Sequence, residues 1–151
     1  MKTRIEIVDG LPEEEIIIRC GSINEKVAQL QKLIQEQTSS PPILFYKENQ
    51  EFYLPLTDIL FFETSGEAIY AHTSADAYRT RLRLYELEQL LPGYFIRAAK
   101  GSIVNTRQIH SLSRNLAGAS LVQFKNTEKH VYASRHYYHA LHQLLKERNF
   151  R

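Results

Sequence analysis

Only one of the 151 residues is a cysteine, Cys20, so the chain cannot form an internal disulfide, which fits a reducing compartment. No apolar run approaches the roughly 20 residues that span a bilayer. The first 19 residues, MKTRIEIVDGLPEEEIIIR, are charged throughout, unlike a secretory signal. We therefore expect a soluble cytoplasmic protein. Cys20 follows an apolar run, and we expect it to be a small buried thiol.

The motifs of common enzyme classes are also missing. The sequence has no GxGxxG, P-loop, GxSxG or HExxH pattern, and Glu86 and Glu88 would diverge on a helix. His136, His139 and His142 are spaced by three and could share a helix face, but no cysteine or carboxylate cluster completes a metal site. We therefore predict no enzymatic activity, no cofactor and no metal.

Charge is distributed unevenly along the chain. The formal net charge is +2, yet residues 51–78 hold five acidic and no basic residues, whereas residues 79–151 hold 13 basic and four acidic ones. This asymmetry indicates either an anionic partner for the C-terminal part or a basic surface balanced by the acidic segment. Arg79, Arg81 and Arg83 alternate, so a strand would place them on one face. We expect at least two of them to pair with carboxylates of residues 51–78.

Residues 1–42 predict a small strand–strand–helix unit. Residues 4–8 alternate with period two, and residues 15–19 form a short β-branched run. Ser22 and Glu25 have capping-box spacing ahead of an apolar helical stripe. The Ser/Pro stretch at residues 39–42 ends that helix and is a linker. We expect residues 1–42 to be a separate dimerisation or partner-binding element.

Residues 43–151 predict a mainly β module, α+β overall, because many short strands follow one another between turn signals. Helices are expected at residues 84–91 and at residues 134–148, the second with Ser134 as its N-cap. No helix–turn–helix pattern is present. The expected strands are residues 43–46, 52–54, 59–63, 68–72, 77–82, 94–98, 102–104, 109–113, 120–124 and 129–133.

Two basic corners suit an anionic ligand. Residues 100–102, Lys-Gly-Ser, combine a cation, a backbone without a Cβ atom and a hydroxyl in a loop between strands, which permits a close approach to phosphate. Residues 134–136, Ser-Arg-His, begin the last helix, whose N-terminus itself favours anions. Two separate corners indicate recognition by loops rather than by one inserted helix.

Four stretches, taken in order, match one family. They are residues 53–63, 84–92, 95–109 and 131–137, and the third, FIRAAKGSIVNTRQI, is the most specific in residue order and spacing. Together they resemble the LytTR family of bacterial transcription-regulator domains over residues 43–148. The chain departs from the family at Ala99, Gly101 and Ser102, where a His, a Ser and an aromatic are frequent, and at His136, where a second Arg is usual. Sequence preference therefore does not carry over.

The resemblance implies about ten mostly antiparallel strands in small stacked sheets, and a homodimeric regulator that docks loops into adjacent major grooves of double-stranded DNA. A protein–protein interaction module, such as an anti-activator that keeps the fold without binding DNA, stays open as the alternative. The first 40 residues are too short for the family's usual receiver domain, which argues against control by phosphorylation. The candidate DNA-binding residues are Ser65, Gly66, Glu67, Arg97, Lys100, Gly101, Ser102, Arg107, Ser134, Arg135 and His136.

Overall fold

A computed structural model describes residues 1–12, 14–38 and 43–149. The chain divides into two units, residues 1–39 and residues 40–151. The linker predicted at residues 39–42 lies outside the described residues. None of the described helices has the length and apolar character needed to cross a membrane.

The first unit contains one helix, α1 (Glu25–Thr38), and no strand in its described part. The strands predicted at residues 4–8 and 15–19 are therefore wrong, and so is the strand–strand–helix description. Both segments are exposed along their whole length. A β-branched run forms a strand only when a partner supplies backbone hydrogen bonds and a packed face, and the described residues of this unit supply neither.

Two local predictions in this unit also fail. The Asn24 side chain accepts a hydrogen bond from the Val27 N–H at 3.0 Å, so Asn24 caps α1 and Ser22 does not. Cys20, expected to be buried, is exposed, because the strand that would have enclosed it does not form.

The second unit contains all ten predicted strands and both predicted helices, and each strand boundary lies within two residues of its predicted position. Short 3₁₀ turns occupy Leu56–Asp58 and Thr106–Gln108. The elements are β1 (Phe45–Lys47), β2 (Gln50–Phe52), β3 (Phe61–Ser65), β4 (Ala68–His72), β5 (Ala77–Thr80), α2 (Leu84–Leu90), β6 (Phe95–Ala99), β7 (Ser102–Asn105), β8 (Ile109–Ser113), β9 (Ser120–Phe124), β10 (His130–Ala133) and α3 (Arg135–Asn149).

The strands form two antiparallel sheets, as predicted. The larger sheet has seven strands in the order β2-β1-β5-β4-β3-β7-β6, and the smaller has three in the order β10-β9-β8. Helices α2 and α3 are separated along the chain by β6 to β10. Residues 43–149 therefore contain no helix–turn–helix.

Strands β3 and β7 contribute to the core on both faces of the larger sheet, because neighbouring side chains along them belong to two different hydrophobic clusters. Phe62 and Ile103 pack with α2 residues, whereas Phe61 and Val104 pack with the smaller sheet and α3. Strands buried on both faces lose the alternation of apolar and polar residues, which explains the apolar run at residues 59–62. The two clusters therefore pack these strands against α2 on one face and against the smaller sheet and α3 on the other.

Candidate nucleic-acid interface

Strand register places three connections at one end of the larger sheet. Glu63 of β3 pairs with Ser102 of β7, and Ile69 of β4 pairs with Thr80 of β5. Because these strands are antiparallel, the β3–β4 turn, the β6–β7 turn and the chain leaving β5 all emerge together. We call this end of the strands the turn end of the sheet.

Two backbone hydrogen bonds bring the three predicted DNA-binding loops into one place. The Thr64 N–H donates to the Gly101 carbonyl at 2.9 Å, which joins the β3–β4 turn to the β6–β7 turn. The Ser134 N–H donates to the Ala98 carbonyl at 2.8 Å, which joins the start of α3 to the end of β6. Residues 65–67, 100–102 and 134–136 therefore share the turn end, although up to 71 positions separate them in the sequence.

The β3–β4 turn depends on a glycine. Ser65 pairs with Ala68, so only Gly66 and Glu67 connect the two strands. Gly66 has a φ of +62°. Residues with a Cβ atom rarely adopt this conformation for steric reasons, whereas glycine adopts it readily at the first position of a tight hairpin turn. Ser65, Gly66 and Glu67 are all exposed, and thus available to a ligand.

The β6–β7 turn presents one cation. Lys100 is exposed at its tip, and the neighbouring Gly101 is partly exposed. Ser102 was expected to offer its hydroxyl to a phosphate, but only 3% of the residue is exposed. Its hydroxyl is buried and has no hydrogen-bonding partner among the described residues. Ser102 therefore lies beneath the turn and does not face a ligand directly.

The start of α3 presents Arg135 and His136, both exposed. One guanidinium nitrogen of Arg135 donates to the Leu116 carbonyl at 3.0 Å, and the His136 ring meets the edge of Tyr137 at 4.7 Å between centroids. Ser134 occupies the N-cap position, as predicted, because α3 begins at Arg135 and the Tyr138 N–H donates to the Ser134 carbonyl at 2.9 Å. Its hydroxyl adds no capping hydrogen bond, since it is buried and unpartnered within the described part of the chain.

Arg114 is a further candidate binding residue that the sequence did not indicate. It lies in the β8–β9 connection, beside a hollow of about 310 Å³ that Arg135 and Tyr138 also line. Its guanidinium carbon is 5.4 Å from the centroid of the Tyr138 ring. A basic residue in the connection between two strands was the available signal, but only the register of the smaller sheet brings it beside Arg135.

Two other predicted residues are placed differently. Arg107 lies in the 3₁₀ turn beyond the far end of β7, with its guanidinium 4.0 Å from the centroid of the Tyr94 ring. It is therefore at the end of the sheet opposite Lys100. Arg97 is near the turn end but mostly buried: its side chain is 18% exposed, and Nη1 is 3.5 Å from Glu88 Oε2.

The expected pairing of Arg79, Arg81 and Arg83 with the acidic segment is wrong. No carboxylate of the described residues forms an ion pair with any of the three, and the Arg81 guanidinium instead lies 4.4 Å from the centroid of the Tyr46 ring. Asp76 immediately precedes β5, whereas Arg79 lies near the end of β5 and Arg81 and Arg83 follow it. Strand direction therefore puts Asp76 at the opposite end of the sheet.

That opposite end has its own charged cluster. Asp76 pairs with Lys47, whose hydrogen bond lowers the pKa of the Asp76 carboxyl. Lys129 Nζ donates to the Asp76 carbonyl at 2.8 Å and lies 3.4 Å from His72 Nδ1. Burial, with a smaller effect of the Lys129 charge, lowers the pKa of His72 to about 4. His72 is therefore neutral near pH 7, and its 3.8 Å contact with Glu63 is not an ion pair there.

No group of three histidine, cysteine, aspartate or glutamate side chains comes together to hold a metal ion in the described part of the chain. The exposed groups at the turn end are cations, a hydroxyl, backbone amides and the Glu67 carboxylate. These groups bind anions through hydrogen bonds and charge.

Comparison with known proteins gives consistent matches. A family model of the LytTr DNA-binding domain matches residues 49–146. An uncharacterized HTH-type transcriptional regulator of Staphylococcus aureus (strain NCTC 8325 / PS 47) is 28% identical over 137 residues, covering 91% of this chain and 92% of that protein. A regulator of the same description from strain N315 has the same identity and coverage.

A solved structure shares the fold. It is the LytTr DNA-binding domain of a Bacillus cereus protein described as a methyl-accepting/DNA response regulator. The match has a TM-score of 0.64 at 21% identity and covers 70% of this chain and 97% of that chain. The arrangement of two antiparallel sheets with short helices is therefore that of a LytTr domain.

Proposed function

The chain belongs to the LytTr DNA-binding domain family, and we propose that it is a sequence-specific transcription regulator whose turn end docks into the major grooves of double-stranded DNA. One observation carries this proposal. The hydrogen bonds from Thr64 to Gly101 and from Ser134 to Ala98 collect three separate exposed loops, two of them basic, at one end of a rigid sheet. The Staphylococcus aureus relatives, described as transcriptional regulators, support the same function.

Each loop has a distinct chemical capacity in this proposal. Lys100 projects from the tip of its turn and reaches a phosphate or the acceptor edge of a guanine. Arg135 and His136 offer donors at the start of α3, where the helix dipole also favours phosphate. The tight turn at Gly66 and Glu67 lets backbone approach the duplex closely. Ser102 and Arg107 have no contact with DNA in this account.

Loops rather than a recognition helix would read the sequence. The relatives' names describe them as HTH-type, but helices α2 and α3 of this chain are separated by five strands. The start of α3 contributes its first turn only. A DNA-binding mode of this kind resembles the loop docking expected from the family resemblance, and it distributes contacts over more than one groove.

Replacing Lys100 tests this proposal. We expect Lys100→Ala to reduce the slope of log affinity against log salt by about 0.9 if Lys100 contacts a phosphate, or to relax the preference at one base pair if it contacts a base. Lys146→Ala is the matched control, because Lys146 is an exposed cation in the last turn of α3, away from the turn end. Both variants should melt at the wild-type temperature.

The same titrations separate the alternative function. An anti-activator that retains the fold would show no preference for any duplex over a scrambled one, and Lys100→Ala would equal Lys146→Ala. Wild-type affinity and salt dependence in Lys100→Ala would remove Lys100 from the interface. If no duplex is preferred by the wild-type protein, the proposed function itself fails.

We propose that residues 1–42 form a dimerisation element distinct from the DNA-binding domain of residues 43–151. Unit 1 exposes an unusual number of large apolar side chains, including Ile7 at 89%, Ile23 at 79% and Leu33 at 56%. Exposed apolar surface of this kind is typical of interaction sites, and a second copy of the same chain is the commonest partner of a soluble oligomer.

Sedimentation of the full chain tests this role. We expect Leu33→Glu to convert dimers to monomers and to weaken binding to a duplex with two half-sites. Leu116→Glu is the matched control for sedimentation alone, since Leu116 is 79% exposed in the second unit but lies beside Arg135 of the proposed DNA-binding surface. A chain lacking residues 1–40 should likewise be monomeric. An oligomer that survives both changes would rule the element out.

A further inference from the structure

Beside the turn end runs a groove rich in arginine. It has a volume of about 760 Å³, and its lining includes Arg79, Arg81, Arg83 and Arg97, with Glu67 as the one acidic side chain and Tyr85 at its helical edge. Four guanidinium groups around one groove repel one another unless an anion lies among them. The groove is therefore a strongly basic concave surface.

Most of the guanidinium groups of this groove have no ion pair or hydrogen bond with the described residues. Among the described residues, the guanidinium groups of Arg79 and Arg83 have neither an ion pair nor a hydrogen bond, and Arg81 has only its stacking contact with Tyr46. Arg97 is partly neutralised by Glu88 at 3.5 Å, but its buried Nε and Nη1 atoms have no hydrogen-bond partner. Buried donors of this kind are normally satisfied, so Arg97 lacks acceptors for these two donors among the described residues.

The groove is continuous with the proposed DNA-binding loops. Its wall includes Thr64 and Gly66, and Thr64 is the residue whose amide bonds to Gly101 in the β6–β7 turn. Arg79 is in register with Tyr70 of β4, and Thr80 with Ile69, so the arginines lie at the turn end, beside the β3–β4 turn. A duplex seated on the loops therefore passes beside this groove.

We infer that Arg79, Arg81 and Arg83 form a phosphate-binding track that holds one strand of the DNA backbone next to the loops that read the bases. This inference rests on the proposed function and adds a second surface to it. Guanidinium groups suit this task because each presents several donors in a planar fork that fits two phosphate oxygens. A DNA backbone is the occupant because it supplies a row of anions, whereas a single small anion would match only one or two of the cations.

Phosphate contacts without base contacts have a distinct signature in titrations. Each lost contact should lower the salt slope by about 0.9 and weaken binding to preferred and scrambled duplexes by the same factor. For Arg81→Ala and Arg83→Ala we expect affinity to fall about tenfold at 0.1 M salt on both duplexes, with the ratio between them unchanged. Arg81→Lys should restore part of the affinity, because it keeps the charge but not the fork.

Lys146→Ala again controls for the loss of one positive charge far from the groove. Arg81 and Arg83 are exposed, so their replacement leaves the core intact, and equal melting temperatures verify this. Salt slopes in Arg81→Ala and Arg83→Ala that equal the slope of Lys146→Ala would overturn the track. A changed ratio between preferred and scrambled duplexes would also overturn it, because the arginines would then read bases.

The design distinguishes this failure from failure of the proposed function. If the wild-type protein prefers one duplex and Lys100→Ala alters that binding while the arginine variants do not, the loops bind DNA and the track is wrong. If no duplex is preferred, the proposed function fails first. An Arg81→Ala variant that loses binding of inorganic phosphate but keeps its affinity for DNA would identify the groove as a small-anion site and would contradict the track.

Discussion

Removing the Asn105 side chain should destabilise the second unit without altering the proposed DNA-binding surface. Asn105 is 1% exposed, and its Nδ2 donates to the carbonyl of Ile59 at 2.9 Å. Its Oδ1 accepts from the Arg107 N–H at 3.0 Å. One amide thus ties the end of β7 to the segment that leads into β3. The signature stretch that carries the family resemblance contains this residue for a structural reason.

The magnitude follows from the two partners. In Asn105→Ala the carbonyl of Ile59, a fully buried residue, loses its donor, which costs about 1–3 kcal/mol. The Arg107 amide belongs to an exposed residue, where water replaces the lost acceptor, so that loss adds about 0.5–1 kcal/mol. We expect a total of roughly 1.5–4 kcal/mol, which lowers the melting temperature by about 6–24 °C in a unit of this size.

Urea unfolding followed by circular dichroism measures this change. Asn105→Asp is the matched variant, because it keeps the acceptor for Arg107 but places a carboxylate against the Ile59 carbonyl. It should be less stable than Asn105→Ala at pH 7 and should recover part of the difference near pH 4, where a protonated carboxyl can donate. An Asn105→Ala variant within about 0.5 kcal/mol of the wild type would refute this reasoning.

Two further predictions concern stability. The pKa of His72 is lowered to about 4 in the folded protein and is about 6.5 when unfolded, so the unfolded state binds the extra proton first and stability is lost as pH falls from about 6.5 to 4. We expect the stability lost to be roughly 1–2 kcal/mol, after a discount because solvent partly reaches the ring. In urea unfolding at several pH values, His72→Gln should lack this dependence of stability on pH. An unchanged dependence would mean that another group causes it. Gly66→Ala should cost about 1 kcal/mol, because its φ is +62°. Gly66→Asn should cost less, since asparagine tolerates that conformation, and equal losses would show that backbone strain is not the cause.

The strands of the second unit were predictable because turn residues separate them at short intervals. The sequence Ser65-Gly66-Glu67 marks a hairpin, and the structure has that hairpin between β3 and β4. The core on both faces of β3 is also visible in the sequence, because residues 59–62 form an uninterrupted apolar run. These are local properties, which pattern and turn chemistry report well.

The failures have a common cause, which is dependence on a distant partner. Residues 4–8 and 15–19 have strand-forming composition, but pairing needs a neighbour that the described part of the first unit does not provide. The arginines at 79, 81 and 83 were expected to meet carboxylates, yet strand direction places Asp76 at the other end of the sheet. Alternation predicted a strand that carries all three arginines, but β5 ends at Thr80 and only Arg79 belongs to it.

The sequence predicts candidate residues for the site but not the surface on which they lie. Spacing and the family resemblance identified Lys100 and Arg135, but neither shows that Arg107 lies at the opposite end of the sheet. Arg114 joins Arg135 only through the folded β8–β9 connection. Register and sheet packing decide these positions, and both depend on contacts far apart in the chain.

Selection of duplexes from a random pool at a stated salt concentration, followed by footprinting of the selected duplexes, tests whether the protein recognises a DNA sequence. We expect enrichment of a repeated motif whose two half-sites are about 10–10.5 base pairs apart, one helical turn, with protection over both. Recovery of no motif, and binding that varies with salt but not with sequence, would contradict it.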